Sequence, residues 1–259
     1  MQNLLSLEKF DKKEENYMPC FYTPDLKKED KKINLSGDEF HHIAHVFRKT
    51  VNDEIALTNG KGILAKAKIS FLTKRFLTLK IISSSEERQS NPKIAVAFSL
   101  LRNKNDFLIV EKLTELGVKD FFPLITERSV RKPSANTIEK FRKVAISAIK
   151  QCDNAFLPKI HQALSLETFL ASKKHFQPVV ALEIGKHKTI VETVRDLENP
   201  VCIIIGPEGG FSEREIELFK EKEIPAFSLG NHILRAETAA IASVSQLLGF
   251  YLQKNPHYY

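Results

Sequence analysis

The sequence predicts an α/β chain in two parts, a small and mostly β domain followed by a larger domain of alternating strands and helices. Three observations carry the prediction. Apolar residues between Phe21 and about Ser83 fall in short β-rich runs split by the turn signal Asn59-Gly60-Lys61-Gly62. The segment "SSSEERQSNP", Ser83 to Pro92, is polar and turn-prone, as a linker is. After it, apolar runs of strand length alternate with helical periodicity to the end of the chain, the pattern of a parallel sheet with crossover helices.

In chain order, residues 1–17 are rich in Lys, Glu and Asp with little periodicity, and "MPCFYTPDL" from Met18 reads as a fresh start, so 1–17 is expected to be a flexible extension. The runs "DEIALTNG", "GILAKAKISF" and "FLTLKIIS" read as strands of the first domain, placed at residues 18–85. In the second domain, placed at 92–256, "KIAVAFSL" reads as a buried strand, "DFLIVEKLTELGV" as an amphipathic helix ending at Gly117, and "DFFPLIT" as the next strand. "TIEKFRKVAISAIKQC" places apolar residues 138, 141, 144, 145, 148 and 149 at helical spacing. "PVVALEIG", "PVCIIIG" and "AFSLG" read as strands. "SEREIELFKEK" opens on Ser212 as an N-cap with Glu215 three residues later, a capping-box signature. The chain closes on the long apolar helix "ETAAIASVSQLLGFYLQK".

No stretch approaches the roughly 20 uncharged apolar residues that cross a bilayer, and the N-terminus lacks a signal-peptide core, which predicts a cytoplasmic protein. Cys20, Cys152 and Cys202 have neither metal-ligand spacing nor an even disulfide count. His41, His42 and His45 cluster without a partnering carboxylate or cysteine, so no metal is expected and RNA or structural roles are favoured for them. The net charge of +7 is unevenly distributed: residues 51–150 hold nineteen Lys/Arg against ten Asp/Glu, whereas the segments on either side are close to balanced. A basic surface near a domain junction suits a polyanion, although a solvated basic face has the same composition.

"IIGPEGGF", residues 204–211, ends an apolar run with Gly206, Gly209 and Gly210, where backbone can approach a ligand closely because no Cβ intervenes. Its spacing is neither G-x-G-x-x-G nor a P-loop, and Glu208 opposes phosphate, so dinucleotides and triphosphates are disfavoured. A plain strand-to-helix turn capped by Ser212 is the alternative. The second loop, "SLGNHILRAETAA" at 228–240, again leaves a strand through glycine and enters the last helix through Arg-Ala-Glu-Thr. Two such loops one strand apart can share one ligand.

Together "IGPEGGFSEREI" and "LGNHILRAETAA" resemble the RsmE family of SPOUT methyltransferases, which methylate N3 of a uridine in small-subunit ribosomal RNA. "FHHIAHVFRKTVNDEI", "EKLTELGV" and "TERSV" resemble the family's other segments, so the resemblance runs from about Phe21 to Gln253. It implies a PUA-like N-terminal β-barrel that binds RNA, a trefoil-knotted α/β methyltransferase domain, and a homodimer whose seam the apolar face of residues 239–252 would supply. It also implies that S-adenosyl-L-methionine is held mostly by backbone of three loops, with Leu182, Glu183, Gly185, Ile205, Gly206, Pro207, Glu208, Gly209, Gly210, Leu229, Gly230, Ile233, Leu234 and Thr238 as the expected cofactor contacts. The chain departs from many relatives at Lys150-Gln151 and Asn154, and at Asn231-His232.

Methylating uridine N3 requires loosening its proton and stabilising charge on O2 or O4, for which a carboxylate and an arginine suffice. Glu237 is the leading base candidate, with Arg128 and Arg235 orienting base or phosphate. The structural alternatives are charge complementarity at a helix N-terminus for Glu237 and pairing with Glu127 for Arg128. His41, His42, Arg48 and Lys49 in the first domain, with Arg102, Lys104, Arg131 and Lys132 in the second, are expected to track the backbone of 16S ribosomal RNA, within the small subunit. The rival functions are ribose 2'-O-methylation, which "LRAETAA" disfavours, and an RNA-binding protein that kept the fold without the chemistry.

Overall fold

The computed structural model describes residues 18–89, 91–172, 175–183, 185, 187–194 and 196–255. The extension expected at 1–17 and the last residue of the expected second domain lie outside them. The first domain contains β1 (Cys20–Tyr22), β2 (Lys32–Ser36), α1 (Gly37–His41), β3 (Glu54–Thr58), β4 (Ile63–Leu72) and β5 (Phe76–Glu86). A π-helical turn, His42–Val46, continues α1. Among the described residues these strands form one sheet in the order β1-β3-β4-β5-β2, with β1 parallel to β3 and every other pair antiparallel. Alternation in β4 shows why the chain is a strand here. Ile63, Ala65, Ala67 and Ile69 turn into the domain's core while Lys66 and Lys68 stay on the wetter face.

The polar run read as a linker begins inside a strand. Residues Ser83–Glu86 complete β5, pairing with Ile63–Lys66. Strand pairing is made by backbone amides, and an exposed stretch requires no apolar side chain to sustain it, so composition alone misplaced its start.

The second domain follows as β6 (Ile94–Ser99), α2 (Asn105–Glu115), β7 (Asp120–Ile125), α3 (Thr137–Gln151), β8 (Lys159–Ile160), β9 (Leu164–Ser165), α4 (Leu166–Ser172), β10 (Gln177–Ala181), α5 (Ile190–Thr193), β11 (Val201–Ile205), α6 (Glu213–Glu221), β12 (Ala226–Phe227) and α7 (Ala236–Lys254). The strands pair in parallel in the order β12-β10-β11-β6-β7-β8, with β9 also on β7. Every residue of β6 and β11 is buried, as parallel strands covered on both faces must be. On one face Val96, Phe98, Ile203 and Ile205 pack against Ile109, Phe141 and Val244 of α2, α3 and α7. On the other, Ala95, Phe122 and Ile204 meet Phe169 of α4 and Phe219 of α6.

The glycine-rich turn between β3 and β4 does more than reverse the chain. Gly60 accepts the Leu157 N–H at 2.9 Å, Gly62 donates to the Ala155 carbonyl at 2.9 Å, and a Cβ on Gly60 would lie 2.9 Å from that of Leu157. The turn is therefore a contact between domains that side chains would obstruct. Lys150 adds an ion pair to Glu39 at 3.0 Å, and Asn154 hydrogen-bonds the Phe156 N–H and the Thr114 carbonyl. Of these contacts the Lys150–Glu39 pair crosses the junction, while the Asn154 side chain orders the second domain's side of it.

Candidate active site

In an open parallel sheet the carboxyl ends of the strands share one edge, and the loops leaving them form a crevice. Here the loops leaving β6, β10, β11 and β12 line a cavity of about 560 Å³, within the range of small-molecule sites. Of the residues expected at the cofactor, Leu182, Glu183, Ile205, Gly206, Pro207, Glu208, Gly210, Leu229, Gly230, Ile233 and Leu234 line this cavity. Gly185, Gly209 and Thr238 do not line it, and Thr238 is exposed on the first turn of α7.

The glycines are required by close approach. A Cβ on Gly206 would lie 2.9 Å from the Phe211 ring, which folds back over the turn. Gly210 adopts φ of +67°, and a Cβ there would lie 2.5 Å from Glu183 Oε1. The loop is therefore bare backbone facing a carboxylate carried by the end of β10. It ends in a completed capping box, with the Ser212 hydroxyl accepting from the Glu215 N–H at 3.1 Å and Glu215 Oε2 accepting from the Ser212 N–H at 2.9 Å. Buried Glu215 also accepts the Glu127 N–H at 2.9 Å, tying the loop after β7 to this one.

Glu208 does not face solvent as a stray charge. Its carboxylate accepts the Arg102 backbone N–H at 2.7 Å, which fastens the loop after β6 across the cavity. That loop carries two successive non-glycine residues in the left-handed region, Asn103 (φ 51°) and Lys104 (φ 61°), each a strained conformation that its surroundings must hold. Arg102, Asn103 and Asn105 consequently line the cavity. Asn103 and Asn105 are site residues that sequence reasoning missed. The signal available was the "RNKN" run directly after a buried strand, where asparagine is favoured for left-handed backbone.

Of the residues assigned chemical roles, Arg235 and Glu237 reach the cavity and Arg128 does not line it. Arg235 is the exposed N-cap residue of α7, and Glu237, two residues on in the first turn, is buried. Asn105 Nδ2 donates to Glu237 Oε1 at 3.2 Å, so this carboxylate meets both an amide and the positive end of the helix. Arg128 reaches behind the glycine loop and donates to the Gly209 carbonyl at 3.0 Å. Its observed contact supports the loop from outside.

The expected RNA track divides. Arg102 belongs to the cavity wall, while His41, His42, Arg48, Lys104 and Lys132 are exposed and Lys49 is half-buried. Arg131 is paired with Asp106 at the foot of α2 and lies over the Phe107 and Phe141 rings. Burial pushes the Asp106 carboxyl above its ordinary pKa, against the pull of Arg131. The His41 and His45 rings lie 5.0 Å apart and tilted by 43°, and no group of three side chains that could hold a metal ion occurs among the described residues.

Comparison with known proteins agrees with this geometry. The family model of an RNA methyltransferase domain matches residues 88–248, and that of an RNA methyltransferase PUA domain matches 35–82. The chain is similar to the ribosomal RNA small subunit methyltransferase E of Rickettsia conorii, 31% identical over 231 residues covering 87% of this chain and 94% of the relative. It is similar also to that of Bacillus subtilis, 28% identical and covering 83% and 89%. A Legionella pneumophila protein described as a methyltransferase, solved with bound S-adenosylmethionine, superposes with a TM-score of 0.84 at 29% identity, covering 90% of this chain and 98% of the other. With both domain models matched in order and most of the chain aligned to these relatives, the chain belongs to the RsmE family of SPOUT RNA methyltransferases.

Proposed function

We propose that this chain uses S-adenosylmethionine to methylate N3 of a uridine in 16S ribosomal RNA of the small subunit. The observation that supports it most is the cavity where four strand-end loops meet, walled by bare glycine backbone on one side and by Arg235 and Glu237 on the other. The residues fit the cofactor. Backbone at Gly206, Gly210 and Gly230 lines the cavity in which a flat adenine would lie, and the carboxylate of Glu183 suits ribose hydroxyls. When bound, S-adenosylmethionine supplies an electrophilic methyl group on a positively charged sulfur.

The chain's own residues then govern the base. Glu237, held by Asn105, accepts the N3 proton through Oε2 or Oε1 as the nitrogen becomes nucleophilic. Arg235 stabilises the negative charge that spreads onto O2 or O4. Arg128 supports the glycine loop through the Gly209 carbonyl, and the trefoil threading of the site loops would keep them rigid. A homodimer with α7 in its seam, acting in the cytoplasm on an extruded uridine of the assembling subunit, completes the proposal. Among the described residues no helix is long and apolar enough to cross a membrane.

The test is mass analysis of ribosomal RNA from cells lacking this gene. One missing methyl, on N3 of a single uridine of 16S RNA and restored by the wild-type gene, is expected. Unchanged 16S RNA, or a methyl lost from a ribose, contradicts the proposal.

A further inference from the structure

The β4–β5 hairpin ends in "FLTKRF", residues 71–76, and its tip has the chemistry of a nucleic-acid contact. Phe71 is 54% exposed and Phe76 38%, large rings that the domain's core leaves uncovered. Their centroids lie 6.0 Å apart at 46°, one on each strand. Between them Lys74 and Arg75 are both exposed. The tip is ordered by Thr73, whose hydroxyl accepts from the backbone N–H of Arg75 at 3.2 Å and of Phe76 at 3.0 Å, and donates to the Phe76 carbonyl at 2.8 Å. Such a turn orders the backbone that carries both cations.

The neighbouring loop extends the same surface. Asn52 donates to the Ile69 carbonyl at 2.8 Å, which sets the segment 46–53 against β4 two residues before Phe71. That segment exposes Val46, Phe47 and Val51 beside Arg48 and Lys49. Against these cations stand the carboxylates of Asp53, which accepts the Thr50 N–H at 2.7 Å, of Glu54, paired with Lys66 at 2.6 Å, and of Asp38 at the start of α1. One end of the domain thus combines uncovered aromatic rings with four cations.

We infer that this end of the domain, centred on Phe71, Lys74, Arg75 and Phe76, binds single-stranded RNA by stacking unpaired bases on the two rings and holding phosphates with the cations. The inference rests on the proposed action on ribosomal RNA and adds a contact outside the cavity. Rings and cations together select unpaired nucleotides, because a base offers a flat face and its phosphate a charge, whereas a duplex buries its base faces. A lipid surface or a second copy of the chain would use the apolar area without needing ring faces.

The test measures fluorescence anisotropy of a short labelled oligouridylate and of a 16S transcript with the full chain, alongside calorimetric binding of S-adenosylmethionine. Phe71→Ala/Phe76→Ala is expected to weaken binding of both RNAs about tenfold or more, from the usual worth of base–aromatic stacking. Phe71→Leu/Phe76→Leu, which keeps apolar area but removes the π-faces, is expected to weaken it similarly. Lys74→Ala/Arg75→Ala should weaken binding and flatten its salt dependence by about 1.4 in log–log slope, two phosphates' worth. Cofactor affinity should not move. RNA affinity unchanged in the alanine pair, or restored in the leucine pair, overturns the inference, as does tighter wild-type binding to phosphatidylglycerol–phosphatidylcholine vesicles than to RNA. If the wild-type chain binds the cofactor and methylates ribosomal RNA while the tip variants bind RNA normally, this contact alone fails. Absence of both cofactor binding and RNA binding in the wild type defeats the underlying function as well.

Discussion

The Glu208 carboxylate accepts the backbone N–H of Arg102 at 2.7 Å, joining the glycine loop after β11 to the strained loop after β6. The bond is charge-assisted, and it holds in place a segment in which Asn103 and Lys104 both adopt left-handed backbone. Glu208→Ala is expected to release that segment and weaken S-adenosylmethionine binding about tenfold, roughly 1.4 kcal/mol. Glu208→Gln keeps an acceptor oxygen and should lose less. Equal affinities for all three proteins by calorimetry would show that the clasp has no part in the site.

Glu237 lines the cavity with Arg235 and accepts a hydrogen bond from Asn105 at 3.2 Å, and the proposed mechanism uses it as the base. Glu237→Gln should leave cofactor affinity within about threefold and lower the single-turnover methylation rate by about 10²–10⁴. An unchanged rate with cofactor bound removes Glu237 from the chemistry and leaves it a helix-terminus charge.

Gly210 holds a backbone conformation that side chains rarely adopt. With φ at +67° and Glu183 Oε1 2.5 Å from the position of a Cβ, Gly210→Ala strains backbone and displaces the carboxylate together. We expect a stability loss of about 1 kcal/mol or more and a larger proportional loss of cofactor affinity, read by urea denaturation and calorimetry on the same preparation. Full cofactor affinity in a folded Gly210→Ala protein would place the ligand elsewhere.

Asp53 offers a pH signature in the first domain. The Thr50 N–H bond holds its carboxyl below the ordinary value, aided by the Thr50 hydroxyl at 3.2 Å. A depressed carboxyl contributes stability that is present above the unfolded pKa of about 3.9 and is lost as pH falls through the folded value. Asp53→Asn should therefore be less stable than wild type near neutrality by a few tenths to about 1 kcal/mol, given the group's exposure. The difference should vanish in acid once Asp53 is protonated. A gap in urea midpoints that persists there would assign the effect to packing.

The fold was legible where residues are buried on both faces. "KIAVAFSL" and "PVCIIIG" are continuous apolar runs, and the structure makes them β6 and β11 at the sheet's centre. Ser212 and Glu215 announced the start of α6, because a capping box is a local bond pattern. The two-residue strands β8 and β9 were harder, since so short a run has no periodicity and is fixed by its neighbours, whereas "AFSLG" does contain β12. The π-helical turn at His42–Val46 likewise has no local signature.

The candidate site was read from its glycines and missed its opposite wall. Gly206 and Gly210 stand out because only glycine tolerates such close approach. Asn103 and Asn105 enter through the chain path after β6 and the bond from Glu208, neither of which spacing along the sequence can reveal. Arg128 and Arg131 illustrate the converse. Their charge suggested RNA, while tertiary packing gives them the Gly209 carbonyl and Asp106 as observed partners.

Calorimetric titration of S-adenosylmethionine into the purified wild-type chain and its Gly210→Ala variant tests the central claim most directly. One cofactor bound per wild-type chain, with affinity sharply reduced in the variant, is the predicted result. No binding by the folded wild-type chain, or equal binding by both proteins, would contradict a cofactor site formed by the loops at the ends of β10, β11 and β12.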